Sequence, residues 1–553
     1  MLAAGLAVLA AALGSTLERS SRERSAYQTG SDIHVSSARA TGLVSPATMS
    51  AIRAVDGVRE VSLALRTSGD IGTTGRGEGF DLLAVESERL EEVLWFREDF
   101  ADKPLGELLV KLPVQADPPP IDLPVGATHI EMWTRAQPRV SKLFLWVVLR
   151  NAQGGLHTIT LGPIGGETWA RQVAPLPDGP EEPFRLVSIL TYEPVGGDAG
   201  SPSSVFFDDL AALDGEDGEA TVLVDFERRD LWTPLPTSQG FDVGFDVVPE
   251  NEAGAKSQVG AHPGGSVARL TIGRGTDSGV RGIYRTANAS PIPIIASEDF
   301  LIRNGFNVGD RFVGGLSGSL TPMMIVDSVR LFPTMDPDDK GFAIVDLGTL
   351  QRYAELRGAA SPGARMQEVF VATDPALHRP ALERVRAAVG AGAEIIDRPG
   401  LESSYLIDPL TVAGWRGVGL VATVATLAVA GLGLLTYLGS YLSRTRVESG
   451  FLRALGLARS AQLGAMAIEQ LSITLVGLLL GTVAGVAMTR VAVDSVSHTE
   501  SGRPVLPPFV LSMEWLPVML VFGGLALVAA AALGRMAIEY ARLPLHMLTR
   551  RDE

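Results

Sequence analysis

The chain has four apolar segments, and one long polar stretch separates the first of them from the other three. Three of the apolar segments contain no charged residue and follow one another near the end of the sequence, at residues 417–442, 470–489 and 515–534. Each is long enough to cross a bilayer core, which requires roughly 20 residues. One such segment also fits the buried core helix of a soluble protein, but three so close together predict membrane spans.

The first apolar segment, residues 1–17, is shorter, and no basic residue precedes it. A secretory signal peptide carries positive charge before its apolar core, so a membrane span is favoured over a cleaved leader. A third interpretation is that the chain begins partway through a helix of a longer membrane protein. With this segment the chain is predicted to have four spans.

Basic residues outside the spans predict the orientation. The stretch 443–463 carries four arginines against one glutamate, and the tail after residue 534 carries four more arginines. Such loops stay on the cytoplasmic side, which predicts a multi-pass protein of the plasma or inner membrane with its C-terminus inside and residues 18–410 outside. Arg19, Arg22 and Arg24 then lie outside, at the start of a long translocated domain, where the charge rule is weak.

The long polar stretch divides into three parts by the spacing of its apolar positions. Residues 18–116 and 280–410 mix alternating and helix-spaced segments, which predicts one α+β domain in two parts. Residues 117–279 show short apolar runs separated by Gly, Pro and Asp, a spacing typical of an inserted, jelly-roll-like β-sandwich. The predicted fold is a four-helix membrane protein, its first helix short or truncated, with this large extracytoplasmic domain and a transmembrane domain at 411–553.

Charge and cysteine content narrow the possible functions. The chain has 47 Lys and Arg against 63 Asp and Glu, a formal net charge of -16, and most of the excess lies in the polar stretch. Nucleic acid requires clustered basic residues, so no nucleic-acid partner is expected. The absence of cysteine excludes disulfides, Cys-ligated zinc and thiol catalysis together.

Three glycines in the third span predict a helix-packing site. Gly477, Gly481 and Gly485 recur every four residues and therefore share one face of a helix. A stripe of this kind lets two helix backbones approach closely inside a bilayer. The partner helix belongs either to this chain or to another subunit.

The stretch between the second and third spans carries a family pattern. From Arg444 it reads Arg-Thr-Arg-Val-Glu-Ser-Gly-Phe-Leu-Arg-Ala-Leu-Gly-Leu-Ala-Arg. FtsX-like ABC transporter permeases have a similar pattern at this place: basic residues, a Glu, the run LRALG and another basic residue before the third span. The matching positions here are Arg446, Glu448, Leu452, Arg453, Ala454, Leu455, Gly456, Arg459 and Glu469.

A second stretch resembles the MacB-like periplasmic core domain that accompanies part of this family. Ile292-Pro-Ile-Ile-Ala-Ser is followed by Glu298-Asp-Phe-Leu and then by Gly305-Phe-Asn-Val-Gly-Asp. The resemblance implies a strand, a short helix and a tight turn in that order. The inserted sandwich departs from the simplest members of the family, so their substrates do not carry over to this chain.

The family resemblance implies that the cytoplasmic segment binds a separate ATPase subunit and couples its motion to the spans. The residues assigned to this coupling segment are Arg446, Glu448, Phe451, Leu452, Arg453, Leu455, Gly456 and Arg459. Three of them, Phe451, Leu452 and Leu455, share an apolar face at helical spacing. The alternative is a basic helix that lies on lipid. Further expected partners are a second permease subunit or a second copy, the bilayer, and an extracytoplasmic protein or glycan.

No residue pattern indicates an enzyme, so no catalytic residue is predicted. The chain has no G-x-x-x-x-G-K-[ST] phosphate loop, and ATP hydrolysis is expected in the partner subunit. The seven histidines are scattered without an H-E-x-x-H, so neither a metal nor a cofactor is predicted. Acidic clusters such as Asp208 with Asp209, or Asp336 with Asp338 and Asp339, have the oxygen ligands that calcium takes, but solvated loops are the favoured interpretation.

The leading hypothesis is a permease subunit that couples ATP hydrolysis elsewhere to motion of the outer domain. Export, lipoprotein extraction and mechanotransmission all fit it. The alternative is a membrane-anchored receptor whose sandwich captures a glycan or a surface protein. A simple anchor needs one span, so four spans and a basic inner segment favour the permease. The substrate and the direction of transport stay open.

Overall fold

A computed structural model of the chain divides into two compact units. Residues 1–28 and 397–553 form one, here called the helical unit, and residues 29–396 form the other, the β-rich unit. The structure describes residues 2–36, 46–71, 79–114, 118–140, 142–164, 166–177, 183–194, 203–227, 229, 232–235, 243–253, 265–272, 279–285, 291–316, 319–337, 340–356, 367–390, 392–407, 417, 421–422, 424–433, 436–437, 440–441, 457–498 and 504–542.

The helices of the described residues have at most 12 residues in the β-rich unit and up to 38 residues in the helical unit. They are α1 (Leu2–Thr29), α2 (Pro46–Arg53), α3 (Ser87–Val93), α4 (Leu105–Leu109), α5 (Glu250–Ala253), α6 (Glu298–Asn304), α7 (Leu347–Leu356), α8 (His378–Val389), α9 (Arg398–Ile407), α10 (Val424–Gly433), α11 (Arg459–Val496) and α12 (Trp515–Arg542).

The strands form three sheets. They are β1 (Ile33–Ser36), β2 (Val58–Ile71), β3 (Gly79–Val85), β4 (Ile121–Asp122), β5 (His129–Gln137), β6 (Phe144–Arg150), β7 (Leu156–Pro163), β8 (Ala170–Pro175), β9 (Arg185–Glu193), β10 (Ser203–Leu213), β11 (Ala220–Val224), β12 (Trp232–Pro234), β13 (Val243–Pro249), β14 (Ser266–Ile272), β15 (Gly279–Arg285), β16 (Ile292–Ser297), β17 (Arg311–Leu316), β18 (Ser319–Val329), β19 (Phe342–Asp346), β20 (Gln367–Thr373) and β21 (Glu394–Asp397).

A nine-stranded mixed sheet combines strands from both sides of the sandwich. Its order is β17-β18-β16-β19-β3-β2-β20-β1-β21, so β1–β3 pair with strands that follow more than 200 residues later. The end of the long strand β2 also pairs with β17, with Gly69 opposite Leu316. A side chain at Gly69 would meet Phe80 and Leu316 within 2.7 Å. Glycine therefore allows β2 to close a path of six strands.

Strand β16 and helix α6 show how the sequence sets local structure. All six residues of β16 are buried, as expected for an apolar run inside a mixed sheet. Ser297 caps α6, because its hydroxyl accepts a hydrogen bond from the Phe300 amide. Gly305 ends the helix in the left-handed conformation, at a φ of 67°. The strand, helix and turn expected between Ile292 and Asp310 are thus all present.

Two six-stranded antiparallel sheets face each other between residues 121 and 285. One has the order β13-β14-β10-β5-β8 with β11 beside β10, and the other has the order β12-β15-β9-β6-β7 with β4 beside β9. The boundary expected at residue 279 falls at the first residue of β15. That strand pairs with β9 from Gly279 to Tyr284 and so belongs to the sandwich.

A buried ion pair lies among the apolar side chains of the sandwich. Arg281 Nη1 is 2.9 Å from Glu193 Oε2, and the two side chains are 2% and 3% exposed. Because strand side chains alternate, both point to the same face as Ile189 and Ile283, which pack in the core between the sheets. An isolated charge at this depth would cost several kcal/mol. Each ion is therefore tolerated because the other is present.

The outer face of one sandwich sheet packs on α7. The Ser188 hydroxyl donates a 2.6 Å hydrogen bond to the carbonyl oxygen of Leu356, the last residue of that helix. Arg150 forms an ion pair with Glu355 one residue earlier. Leu190 of the same face is fully buried in the cluster that Leu356 joins. The sandwich is thus attached to the nine-stranded part through both polar and apolar contacts.

Helix boundaries in the helical unit differ from the predicted spans. α1 continues to Thr29, well past the expected end at residue 17, because charged residues in its second half pair at helical spacing. Arg19 pairs with Glu23, and Arg22 pairs with Glu18. α11 extends beyond the predicted span 470–489 at both ends, and α12 extends beyond the predicted span 515–534 to Arg542.

One helix among the described residues is long and apolar enough to cross a membrane. It covers Ser460–Ser495 with a mean hydropathy of 2.1. Val424–Gly433 and Val518–Ala531 are shorter apolar helices within two of the other predicted spans. The count of four spans therefore stays a prediction.

Glu368 in β20 is a buried carboxylate of the nine-stranded sheet. It accepts hydrogen bonds from Arg66 at 2.5 and 3.0 Å and lies 3.2 Å from His34 Nε2. Burial raises the pKa of this carboxyl, but the hydrogen bonds from His34 and Arg66 and the Arg66 charge outweigh it and lower the pKa to about 2. The stabilisation it provides is therefore present above the usual glutamate value and is lost as the pH falls toward 2.

We predict that Glu368→Gln removes an acid-sensitive part of the stability. A pKa lowered to about 2 corresponds to a stabilisation on the order of 3 kcal/mol. In urea unfolding of the detergent-solubilised protein, the variant should be less stable near neutral pH. It should also lose less stability than the wild type on acidification to about pH 3.

The matched control is Glu383→Gln on α8, whose exposed side chain pairs with Arg386. A surface pair of this kind contributes about 0–1 kcal/mol, so the control should follow the wild type at both pH values. An acid-induced loss in Glu368→Gln as large as in the wild type would contradict the assignment of that loss to Glu368.

Candidate functional site

The predicted ATPase-coupling segment leads directly into α11. Most of it lies outside the described residues, namely Arg446, Glu448, Phe451, Leu452, Arg453, Leu455 and Gly456. Arg459 is the first residue of α11, and Leu457, two residues earlier, is 45% exposed. A partner that binds this segment would therefore act on one end of a helix of 38 residues.

Two of the three stripe glycines bring α11 against α1. A Cβ atom added at Gly485 would lie 2.6 Å from the Gly5 carbonyl oxygen and 2.7 Å from Val8 Cβ. One added at Gly5 would lie 3.1 Å from the Gly481 carbonyl oxygen. Gly477 is half-buried two turns before Gly485 on the same helix. The glycines thus allow a backbone-to-backbone crossing within this chain.

A group of hydrogen bonds holds α1 at a second level. The Ser15 hydroxyl donates to the Ser512 carbonyl oxygen at 2.7 Å, and Thr16 Oγ1 lies 3.2 Å from the same oxygen. The Ser512 amide donates to Thr16 Oγ1 at 3.1 Å. Ser512 lies just before Trp515, where α12 begins. The middle of α1 is therefore hydrogen-bonded to the main chain of Ser512, just before α12. These main-chain groups would be present with any residue at position 512.

The charged half of α1 pairs with α9. Arg22 Nε lies 3.1 Å from Glu402 Oε1, and the Tyr405 hydroxyl donates to Gln28 Oε1 at 2.6 Å. The Arg24 guanidinium lies 5.2 Å from the centre of the Tyr405 ring, within the range of a cation–π contact. Arginines that oppose the charge rule in the sequence are thus compensated by local partners.

Further contacts join the remaining apolar helices. A Cβ atom at Gly431 of α10 would lie 4.0 Å from Val528 of α12. The Tyr441 hydroxyl donates a 2.7 Å hydrogen bond to Glu469 of α11. Glu469 is one of the family-pattern residues, so this contact gives that position a structural role beside the coupling segment.

α1 is a continuous helix that contacts other segments of the unit at three levels along its length. At about 1.5 Å per residue its 28 residues span roughly 42 Å. It contacts α11 near Gly5, the start of α12 near Thr16, and α9 between Arg22 and Gln28. A displacement of α11 can therefore reach α9 through one continuous helix.

The remaining acidic candidates give no metal site among the described residues. No group of three or more His, Asp or Glu side chains lies close enough there to hold an ion. Asp208 and Asp209 are buried at a bulge in β10, where the Asp209 amide donates to Asp208 Oδ1 at 3.0 Å. Asp336 is described, but Asp338 and Asp339 lie outside the described residues.

The pairing of α1 with α9 is the part of this arrangement that the sequence interpretation missed. The available signal was the four-residue spacing of Glu18 with Arg22 and of Arg19 with Glu23, which supports a helix on its own. The partners on α9 lie about 380 residues away in the sequence. Spacing within one segment carries no information on such a pair.

We predict that Gly485→Ala destabilises the helical unit by about 1–3 kcal/mol, because the added methyl group overlaps Gly5 and Val8 and forces the helices apart. The measurement is the thermal midpoint of the detergent-solubilised protein, followed by tryptophan fluorescence. The control is Gly523→Ala on α12, where an added Cβ meets nothing within 4 Å. Alanine is the better helix former by about 1 kcal/mol, so the control should keep or raise the midpoint. Equal midpoints for both variants would contradict the crossing.

The C-terminal part of the chain is similar to a known family. Residues 420–545 match the family model described as FtsX-like permease C-terminal. The matched residues include the predicted coupling segment, α10, α11 and α12. No curated protein matches the chain significantly. The matched residues are those that carry the contacts to α1 described above, apart from α9. This match supports a relationship of the C-terminal segment to the FtsX-like ABC permeases, a family of membrane proteins.

Proposed function

We propose that this protein is the permease subunit of an ABC transporter that works with a separate ATPase subunit. The observation that carries the proposal is the match of residues 420–545 to the FtsX-like permease C-terminal model. The given sequence contains no phosphate-binding loop for ATP, and the proposal assigns ATP hydrolysis to a separate subunit. The permease converts the motion of that subunit into motion of its β-rich unit.

The proposed orientation has the coupling segment and the C-terminus in the cytoplasm and the β-rich unit outside. Four arginines between residues 443 and 463 and four after residue 534 support it. Arg19, Arg22 and Arg24 lie on the outer side in this orientation. Basic residues are less common on the outer side, but these three have partners. Arg19 and Arg22 pair with carboxylates and Arg24 lies over an aromatic ring, which makes their outer position acceptable.

In the proposed mechanism the ATPase pushes on the coupling segment and thereby on the first turn of α11. The crossing at Gly481 and Gly485 passes that displacement to α1, since two backbones in contact cannot move independently. The outer half of α1 then moves α9 through Arg22 and Gln28. A displacement transmitted in this way requires rigid helices with two alternative arrangements.

The proposed outer domain resembles a MacB-like periplasmic core that carries an inserted sandwich. The strand β16, the helix α6 and the turn through Gly305 support this resemblance. The contact of Ser188 and Arg150 with α7 makes the sandwich move together with the core. This layout supports mechanotransmission, lipoprotein extraction or export, with a second permease subunit or a second copy completing the transporter.

A membrane-anchored receptor for a glycan or surface protein is the second candidate, and one observation favours it. Trp146 and Tyr192 stack on the outer face of a sandwich sheet with centroids 4.4 Å apart, and both rings are half-buried. Partly exposed aromatic rings are common at binding surfaces. The receptor has no need of a basic segment that leads into a 38-residue helix, so the permease is preferred.

We predict that Leu455→Asp abolishes binding of the ATPase. The protein is purified from native membranes in mild detergent under ATP-trapping conditions, and bound proteins are identified by mass spectrometry. A Walker-type ATPase should accompany the wild type and be lost, at least tenfold, from the variant, because a charge at the centre of an apolar contact leaves a buried carboxylate unpaired.

The matched control is Val110→Asp, the same change of chemistry at a residue of the β-rich unit that is 80% exposed. It should retain the ATPase fully. If no ATPase accompanies the wild type under these conditions, the permease proposal fails and the receptor becomes the working hypothesis.

The proposed orientation predicts opposite labelling of two single-cysteine variants. The natural chain has no cysteine, so each variant carries one reactive thiol. Ile302→Cys, at a position that is 77% exposed in the β-rich unit, should react with a membrane-impermeant maleimide in intact cells. Leu457→Cys should react only after the membrane is permeabilised. Labelling of Leu457→Cys in intact cells would contradict the orientation.

A further inference from the structure

The segment between α11 and α12 contains an uncharged, non-helical run that we call the strap, residues 504–513. It reads Pro-Val-Leu-Pro-Pro-Phe-Val-Leu-Ser-Met and ends one residue before Glu514. Its prolines prevent a continuous helix, and the structure shows neither helix nor strand over these residues apart from one bridge of Pro504 to His498. A run of ten residues without charge is unusual for a surface connection, which is normally polar.

The strap is ordered by contacts at both ends. The Val505 amide donates a 2.8 Å hydrogen bond to the carbonyl oxygen of Ser497, at the end of α11. Its other end is held at Ser512 by the hydroxyls of Ser15 and Thr16. The strap therefore spans from the end of α11 to the middle of α1.

The strap turns apolar side chains outward along part of its length. Val505 is buried, whereas Leu511 is 38% exposed and Phe509 and Val510 are half-buried. Trp515 and Leu516, the next residues of α12, are 53% and 71% exposed. Exposed apolar side chains of this kind, which the exposed Glu514 interrupts before Trp515, are unfavourable in water at about 25 cal/mol per Å². These side chains lie between the end of α11 and the first turn of α12. Trp, which is present there as Trp515, is enriched at membrane interfaces.

We propose that the strap is a lipid-binding segment that lies in the outer interface of the bilayer. Phe509, Val510 and Leu511 insert among the acyl chains close to the headgroups, with Trp515 at the same level. This rests on the proposed function, since it assumes that α11 and α12 cross the membrane with this connection outside. The lack of charge in the strap fits the apolar boundary region and gives no basis for binding anionic headgroups.

The proposed position makes the strap a fulcrum for α1. Ser512 holds α1 at Thr16, which leaves about 21 Å of helix on the side of Leu2 and about 20 Å on the side of Thr29 at 1.5 Å per residue. A helix held to an interface at its midpoint tilts about that point more easily than it slides along its axis. Displacement of one half by α11 therefore swings the other half, where α9 is attached.

The test uses single-cysteine variants of the full chain, labelled with an environment-sensitive fluorophore and reconstituted in phosphatidylcholine vesicles. Quenching is measured with lipids that carry a nitroxide either near the headgroup or deep in the acyl chain. Leu511→Cys reports the strap, Leu527→Cys reports the middle of α12 and Ile302→Cys reports the β-rich unit. These side chains are 38%, 71% and 77% exposed, so each label has room.

The expected result is at least twofold stronger quenching of Leu511→Cys by the shallow nitroxide than by the deep one. Leu527→Cys should show the reverse order, and Ile302→Cys should be quenched by neither. If Leu527→Cys is quenched and Leu511→Cys is not, the strap proposal is wrong while the membrane placement stands. If neither is quenched, the membrane placement fails, and the proposed function fails with it.

A competing occupant of the strap surface is a second copy of the chain. In that case Leu511→Cys would form a disulfide-linked dimer on mild oxidation and would be shielded from the shallow nitroxide, which would overturn the lipid proposal.

A double variant tests the attachment to α1. Ser15→Ala with Thr16→Val removes the hydroxyls that hold Ser512 and keeps the helix. It should reduce shallow quenching of the label at Leu511 by about half and leave the label at Leu527 unchanged. An unchanged Leu511 signal would show that lipid alone positions the strap, which would overturn the fulcrum.

Discussion

The close crossing of α1 and α11 is the contact on which the helical unit depends. Apolar helices gain no hydrophobic free energy by meeting in lipid, so they associate through close packing and hydrogen bonds. Gly5 and Gly485 allow the backbones to touch, and Thr16 adds hydrogen bonds to the main chain of Ser512. These two attachments hold α1 near its first turns and at its middle. The strap and α9 both contact α1 directly.

In the β-rich unit several buried or partly buried charges have opposite charges beside them. Arg281 with Glu193 lies inside the sandwich, and Glu368 lies with Arg66 in the nine-stranded sheet. Burial raises the pKa of Asp327, but hydrogen bonds from two lysines, Lys103 and Lys111, outweigh it and lower that pKa. Pairs of this kind penalise alternative registers, because a shift of one residue would leave an ion unpaired.

The sequence predicted local features better than distant ones. The strand β16 and its capped helix followed from an apolar run, a serine and a glycine, all of which act over a few residues. The continuation of α1 to Thr29 was not predicted, because the apolar run ends at residue 17 while the helix continues on paired charges. The crossing partner of the glycine stripe was left open, since a smooth helix face does not specify what packs on it. Of the predicted coupling segment, only Arg459 falls within the described residues.

By itself the sequence determined which segments are apolar, which connecting segments are rich in arginine and which family the C-terminal segment resembles. Those properties depend on composition and on short spacings, which are written directly in the chain. Only the tertiary structure decided that Gly5 meets Gly485, that Arg22 meets Glu402 and that the sandwich rests on α7. Such contacts join residues hundreds of positions apart. They are selected by shape and by the cost of leaving polar groups unpaired across the whole fold, which no local pattern records.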